Sequence, residues 1–273
     1  MKAQFHLPLI TYPDASSDWI IENALELSRH QGAALSASVL QVRIPRISHP
    51  FPTIVDVEKM VHDAEQLSRQ RATALTEKLR TQANTAQQDV TVVPFEAKQP
   101  FVGERVAQLS RAYDFSILEL VPTARSLIES VLFDGGRPAV IFPAASCSGR
   151  IETIAIAWDG SATAARAVTG ARYFLEKCSS VVLVSVTDDK LIDKDIRDRL
   201  AETLSRSGLR VEVVTLHLNG DSAAAAIQSA ATEKHADLLV AGAFGHSRLR
   251  EFILGGVTRS FLTDLSMPIL MSH

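Results

Sequence analysis

The sequence predicts an α/β protein made of two tandem, open, five-stranded parallel-sheet domains with helices on both faces, a Rossmann-like arrangement. Short apolar runs alternate with longer stretches of helical periodicity along the chain. Such alternation is typical of parallel sheets that are covered by helices on both sides. The same order of segments occurs twice, and 273 residues are enough for two ordinary domains.

The second half shows the repeat most clearly, because a predicted strand is followed by a predicted helix four times before a closing strand. The strands are predicted at Thr153–Trp158, Val181–Val186, Val211–Leu216, Ala236–Ala241 and Pro268–Met271. The helices are predicted from Ser161 to Leu175, from about Ile196 to Gly208, from Ser222 to Lys234 and at Val257–Leu265. Ser161 follows Asp159-Gly160 and is a typical helix-capping residue.

The first half repeats this order with weaker turn signals. Its strands are predicted at Leu7–Tyr12, Leu35–Val42, Val90–Phe95, Phe115–Leu120 and Ala139–Phe142. Its helices are predicted at Ser17–His30, Val55–Gln82, Phe101–Ala112 and Ala124–Phe133. The small and polar segment 144–149 is typical of a linker. We therefore expect domains at residues 1–145 and 150–273.

Composition excludes several classes of function. The net charge of −3 provides no general attraction to nucleic acid or to an anionic membrane. No apolar run approaches the length of a membrane span, and the first residues lack the apolar core of a signal peptide. The two cysteines form neither a CxxC pair nor a Cys/His metal spacing. We expect a cytoplasmic protein without a nucleic-acid or membrane partner and without a tightly bound metal.

Three glycines form the most informative motif. Gly242, Gly245 and Gly255 have the spacing G-x2-G-x9-G, directly after the apolar run at 238–240. Glycine lets backbone amides approach an anion closely, and a strand that leads through a glycine-rich loop into a helix is a favourable phosphate site. The alternative is that these glycines only serve as turn and helix-end residues. The motif is neither a P-loop nor the dinucleotide fingerprint.

These segments together resemble the universal stress protein family in its tandem two-domain form. The resemblance rests on Asp-Gly-Ser at 159–161 after the first strand of the second half, on Val184–Val186 in its second strand, and on the glycine motif. It implies the strand order 3-2-1-4-5 in each domain and pairing of the two domains through their last strands. The first and fourth strands are neighbours in that order, so Asp159 and Gly242 are expected to meet in one crevice, where such sheets bind ligands.

The resemblance also implies a nucleotide site in the second domain, with ATP as the expected cofactor and the presence of Mg²⁺ left open. Three residues are expected on the base and ribose side: Ala157, Asp159 and Val186. Six are expected on the ribose and phosphate side: Gly242, Gly245, Gly255, Gly256, Val257 and Thr258. The family has Ser or Thr where this chain has Gly256, which removes a hydroxyl donor worth roughly 0.5–1.5 kcal/mol.

The first half lacks the motif. In the sequence alignment, Leu120, Thr123 and Phe133 stand at the positions of the three glycines, and the helix after them is expected to be shortened. We therefore expect one nucleotide per chain. The predicted function is that of a cytoplasmic stress protein that binds ATP for regulation rather than catalysis, since the sequence offers no clear general base and no Walker carboxylate. A nucleotide-free interaction protein and a weak ATP hydrolase remain alternatives, and homodimer formation is left open.

Overall fold

The computed structural model describes residues 2–45, 56–188, 193–218, 222–243 and 256–273. In the first half, the strands are β1 (Gln4–Leu9), β2 (Ala34–Arg43), β3 (Val90–Lys98), β4 (Phe115–Glu119) and β5 (Ala139–Phe142). The helices are α1 (Asp18–Gln31), α2 (Val57–Thr85), α3 (Val102–Ser110) and α4 (Arg125–Asp134).

The second half follows the same plan. Its strands are β6 (Thr153–Ala157), β7 (Ser180–Val186), β8 (Arg210–Leu216), β9 (Leu238–Gly242) and β10 (Ile269–Ser272). Its helices are α5 (Ala162–Gly170), α6 (Arg172–Leu175), α7 (Lys194–Arg206), α8 (Ala223–Glu233) and α9 (Gly256–Phe261). Across the part of the chain that the structure describes, no helix is long and apolar enough to cross a membrane.

The strands form one ten-stranded sheet in the order β3-β2-β1-β4-β5-β10-β9-β6-β7-β8. Each half is parallel and has the predicted order 3-2-1-4-5, so the predicted fold class is confirmed. The halves join where β5 and β10 pair in antiparallel register, with Val140 opposite Leu270. The pairing through the last strands expected from the resemblance is thus present, and it removes an edge that each half would otherwise expose.

Side chains alternate between the two faces of the sheet, as strand geometry requires. In β9, Leu238 and Val240 pack in one core cluster, whereas Leu239 and Ala241 pack in the other. The first cluster contains buried residues of α1, α2, α5, α6 and α7, and the second contains those of α3, α4, α8 and α9. Helices therefore cover both faces, which explains why the central strands read as continuous apolar runs.

Several predicted element boundaries differ from the structure, and two of these differences have local hydrogen-bonding reasons. The first strand ends at Leu9 rather than at Tyr12, because Ile10 and Ser16 close a loop: the Ser16 N–H donates to the Ile10 carbonyl, and the Ile10 N–H donates to the Ser16 hydroxyl. Helix α9 ends at Phe261 rather than at Leu265, since two successive amide groups at 263 and 264 donate to the same carbonyl, that of Ser260.

The segment between the domains is anchored, although its composition is typical of a flexible linker. The buried amide of Asn23 donates to the Ala145 carbonyl at 2.9 Å and accepts the Cys147 N–H at 2.8 Å. Gly149 lies so close to α1 that a Cβ there would be 2.2 Å from the carbonyl carbon of Glu26. The linker therefore fixes the second domain against α1.

Candidate functional site

The two sequence signals of the second domain lie at the same end of adjacent strands. Strand β6 pairs with β9, and Ile156 is opposite Val240. Two residues further along each strand, Trp158 and Gly242 are therefore at the same level, and Asp159 follows directly. This is the carboxyl edge of the sheet at the point where the strand order reverses, the place where open α/β sheets bind ligands.

Asp159 shapes the turn that leads from β6 into α5. Its Oδ1 accepts the Ser161 N–H at 3.0 Å, and Gly160 between them has a φ of 75°, in the left-handed region that favours glycine. The Ser161 hydroxyl then accepts the Ala164 N–H at 3.1 Å and caps α5, as predicted. The carboxylate is thus held at the crevice by a short and well-defined turn.

Trp158 packs in the core instead of facing the crevice as a stacking platform. Its side chain is buried in the cluster that includes Ala164 and Ala167 of α5 and Leu204 of α7. Trp158 therefore packs against helices, as a residue at the end of a buried strand commonly does. Its indole Nε1 is buried and has no hydrogen-bond partner among the described residues, a feature that the sequence did not predict.

Gly242 has a structural role that does not depend on a ligand. A Cβ at this position would lie 2.6 Å from the backbone nitrogen of Ala164 and 2.7 Å from the carbonyl carbon of Thr163. The end of β9 therefore contacts the first turn of α5 directly, and only glycine allows this approach. The same contact brings the carboxyl end of β9 next to the Asp159 turn.

The other residues predicted for the base side are at the same edge. Ala157 and Val186 are half-buried at the ends of β6 and β7. Further out, Asp188 accepts from His217 at 2.9 Å, and this hydrogen bond together with the one from the Leu218 N–H lowers the pKa of the Asp188 carboxyl. The rim beyond Val186 is therefore polar.

The phosphate side is described only in part. Gly245 and Gly255 lie outside the described residues, so their expected roles remain predictions. Gly256 begins α9, and a Cβ there would meet no atom of the described residues within 4 Å. Val257 is partly exposed, whereas Thr258 is buried and presents little of its hydroxyl to solvent.

The first domain places a carboxylate where the second has Gly242. The alignment is fixed by Asp114 and Asp237, because the Asp114 N–H donates to the Gln4 carbonyl of β1 just as the Asp237 N–H donates to the Thr153 carbonyl of β6. Counting along the strands from these residues makes Glu119, not Leu120, the equivalent of Gly242. The predicted alignment was therefore wrong by one residue at this position.

Glu119 caps the first helix of its own domain. Its carboxylate accepts the Ser17 N–H at 3.3 Å and also the Ser17 hydroxyl, and Ser17 is the residue before α1. The start of α1 is thus occupied by an internal anion. Helix α4 has 10 residues and the described helix α9 has 6. Because residues 244–255 lie outside the described part of the chain, the expected shortening in the first domain stays a prediction.

Metal and thiol chemistry find little support at these positions. Within the ranges given above, no group of three or more His, Cys, Asp or Glu side chains is placed to hold a metal ion. Asp193, part of the acidic run near β7, caps α7 by accepting two backbone N–H groups. Burial raises the pKa of both cysteine thiols, Cys147 and Cys178, which disfavours the reactive thiolate.

The fold and the site together define a two-domain α/β protein whose second domain has an Asp- and Gly-bearing crevice at its switch point. Comparison with known proteins agrees. Residues 150–273 match the model of the universal stress protein family. A universal stress protein of Synechocystis sp. is 25% identical over 229 residues, which span 80% of this chain and 76% of that protein.

Solved structures extend the likeness to both domains. A universal stress protein from Archaeoglobus fulgidus matches with a TM-score of 0.73 and 19% identity, covering 99% of this chain and 96% of that one. A functionally unknown protein from Pseudomonas aeruginosa matches with a TM-score of 0.54 and 14% identity, covering 98% and 92%. At these identities the two structures show the fold alone. The second half therefore matches the universal stress protein family, and both halves share the fold of such proteins.

Proposed function

We propose that this protein is a cytoplasmic stress-response protein that binds one adenine nucleotide, preferably ATP, in its second domain. The observation that carries the proposal is the register of β6 against β9, which brings Asp159 and Gly242 to the same end of neighbouring strands. The match of residues 150–273 to the family model and the G-x2-G-x9-G spacing support it further. Neither nucleic acid nor a membrane is proposed as a partner.

In this proposal the base and ribose contact the edge formed by Ala157, Asp159 and Val186. The half-buried Ala157 and Val186 provide apolar contact, and Asp159 provides a hydrogen-bond acceptor for hydroxyl groups. The phosphates then lie toward the glycine motif and the residues that follow it: Gly242, Gly245, Gly255, Gly256, Val257 and Thr258. Because Thr258 is buried, the proposal relies on backbone amides more than on its hydroxyl.

The proposed role is regulatory binding rather than catalysis. Asp159 is the acidic residue at the crevice, and it already accepts the Ser161 N–H. Phosphoryl transfer needs a positioned metal and a group that orients the nucleophile. The sequence offers no clear general base and no Walker carboxylate for these roles, which supports a binding function over hydrolysis.

One observation favours a second candidate, a nucleotide-free interaction protein. Gly242 is explained fully by its contact with α5, so its presence alone does not require a phosphate. A test must therefore change the phosphate side without disturbing the packing. Gly256 allows this, because it lies in α9 and no atom of the described residues is within 4 Å of its Cβ position.

We expect Gly256→Ser to bind ATP more tightly and Gly256→Val to bind it more weakly. Serine adds the hydroxyl donor that the family pattern has here, worth roughly 0.5–1.5 kcal/mol. Valine has a similar Cβ but places apolar carbon where the phosphates approach. Isothermal titration calorimetry with ATP and AMP measures both effects, and the valine variant should lose more affinity for ATP than for AMP.

The two variants control for each other, because an effect on folding would weaken ATP binding by both, whereas the proposal expects opposite changes in affinity. Each should unfold within about 0.5 kcal/mol of the unmodified protein, as expected for an exposed site. If both variants bound ATP with unchanged affinity, the phosphates would not lie near Gly256. If the unmodified protein bound no adenine nucleotide, the nucleotide-free alternative would replace this proposal.

A further inference from the structure

A cavity of about 150 Å³ lies in the first domain at the carboxyl ends of β1 and β4. This is the counterpart of the crevice between Asp159 and Gly242 in the second domain. The loop after β1 is longer here than the Asp159-Gly160 turn, and it forms one wall through Tyr12 and Asp14. At roughly 30 Å³ per water, the cavity has room for about five waters or for one small organic molecule.

The lining of this cavity is unsuited to phosphate. Two carboxylates line it, those of Asp14 and Glu119, and no Lys, Arg or His does so within the described ranges. The rest of the lining is mixed. Its apolar part includes Pro8, Ile10, Ile20, Val102, Leu118 and Leu127, and its polar part includes Ser16, Gln99, Thr123 and Ser126. An anion would meet like charge on this wall, whereas a cation with a short apolar body would match both the charge and the apolar surface.

Glu119 is the side chain that decides which ligands the cavity can bind, because it is only 9% exposed and its carboxylate belongs to the cavity wall. Its described donors all belong to Ser17, through one N–H and one O–H. An ionised carboxylate offers about four acceptor sites, so it can take further donors from the cavity. The nearby Arg71 does not supply them, since its guanidinium donates to the carbonyls of Thr11 and Pro13 and does not line the cavity.

Buried charges in proteins are normally paired. The start of α1 stabilises the Glu119 carboxylate in part, because the positive end of the helix dipole lies there. An ammonium group in the cavity would complete the pairing with a charge-assisted hydrogen bond. We propose that the first domain has a binding site of its own, which takes small primary ammonium compounds with a short apolar chain, and not nucleotides.

The test is a ligand-observed NMR titration of the full chain with n-butylammonium chloride, with sodium butyrate and n-butanol as probes of matched size. We expect saturable binding of n-butylammonium and none of butyrate. Glu119→Gln should weaken n-butylammonium binding by about tenfold or more, since it removes the charge while glutamine can still accept from Ser17. Asp14→Asn should have a smaller effect because Asp14 is exposed. ATP should not displace the amine.

Glu176→Gln is the matched control, because Glu176 is an exposed carboxylate of the second domain that pairs with Arg172. It should leave n-butylammonium binding unchanged. Absence of saturable n-butylammonium binding would overturn the proposal, as would equal binding to the Glu119→Gln variant or equal binding of butyrate. Should Glu119→Gln fail to fold, Ala124→Leu fills the cavity instead and must abolish the binding. None of these outcomes depends on nucleotide binding in the second domain.

Discussion

Replacing Phe174 with alanine is expected to lower the free energy of unfolding by about 3–5 kcal/mol, the typical cost of deleting a buried aromatic ring. Phe174 belongs to α6 of the second domain and is fully buried. Its ring centroid lies 5.1 Å from that of Phe115 and 6.3 Å from that of Phe5, both on strands of the first domain. The ring therefore fills the contact between the domains, where little can move to close the space it leaves.

Urea denaturation followed by far-ultraviolet circular dichroism measures this loss. Phe101→Ala is the control, because it removes the same ring from a site where it is 55% exposed. The control should change stability by no more than about 0.5 kcal/mol. A loss below about 1 kcal/mol for Phe174→Ala would mean that the two domains do not depend on this aromatic contact.

The second large effect is a loss of stability in mild acid that depends on His6. Its imidazole is fully buried in β1, with Nδ1 3.0 Å from the Ser116 hydroxyl and Nε2 3.0 Å from the Ser38 hydroxyl. The ring stacks on Tyr113 at 4.6 Å. Burial lowers the pKa of His6 from 6.5 to about 4, since the charged form would lose its hydration.

The sign of the pH effect follows from this shift. Between pH 6.5 and about 4, the unfolded chain binds a proton at His6 and the folded chain does not, so the unfolding free energy falls as the pH falls. Above pH 6.5 the neutral His6 lowers the unfolding free energy by little or nothing. Near pH 4 the loss of unfolding free energy due to His6 approaches about 3 kcal/mol. Denaturation curves from pH 7.5 to 4.5 measure it.

His6→Gln should be less stable at neutral pH but should show a flatter dependence on pH than the unmodified protein. His62→Gln, which changes an exposed histidine of α2, should keep the original dependence. Subtracting the pH curve of unfolding free energy of one variant from that of the other removes the contribution of carboxylates that titrate in the same range. Parallel curves for the two variants would show that His6 is not the group responsible.

Sequence reasoning predicted the fold well because periodicity reports directly which residues are buried. The apolar runs of β5 and β9 are buried strands, and the Asp159-Gly160-Ser161 turn caps α5 as expected. Sequence reasoning was less successful with the ends of helices and strands, since the end of β1 and the end of α9 depend on particular hydrogen bonds. The bond between Ser16 and Ile10 has no counterpart in the hydrophobic pattern.

The candidate site was predicted in part. The meeting of Asp159 and Gly242 follows from the strand order, whereas the contact of Gly242 with α5 depends on how closely the helix packs. The first domain shows most clearly where prediction from the sequence fails. A one-residue slip in the alignment hid Glu119, and the shared Asp114 and Asp237 positions would have revealed it had the strands been counted from them. An acid at the position equivalent to Gly242 is the signal that was missed.

The measurement that tests the proposed function most directly is a calorimetric titration of the full chain, freed of any bound nucleotide, with ATP. The proposal predicts one saturable site per chain, in the second domain, because the first domain has the Glu119 carboxylate at the position of Gly242. It also predicts that Asp159→Ala weakens ATP and AMP alike, while Glu119→Gln leaves the ATP stoichiometry at one. No detectable binding of ATP, or two equivalent sites per chain, would contradict it.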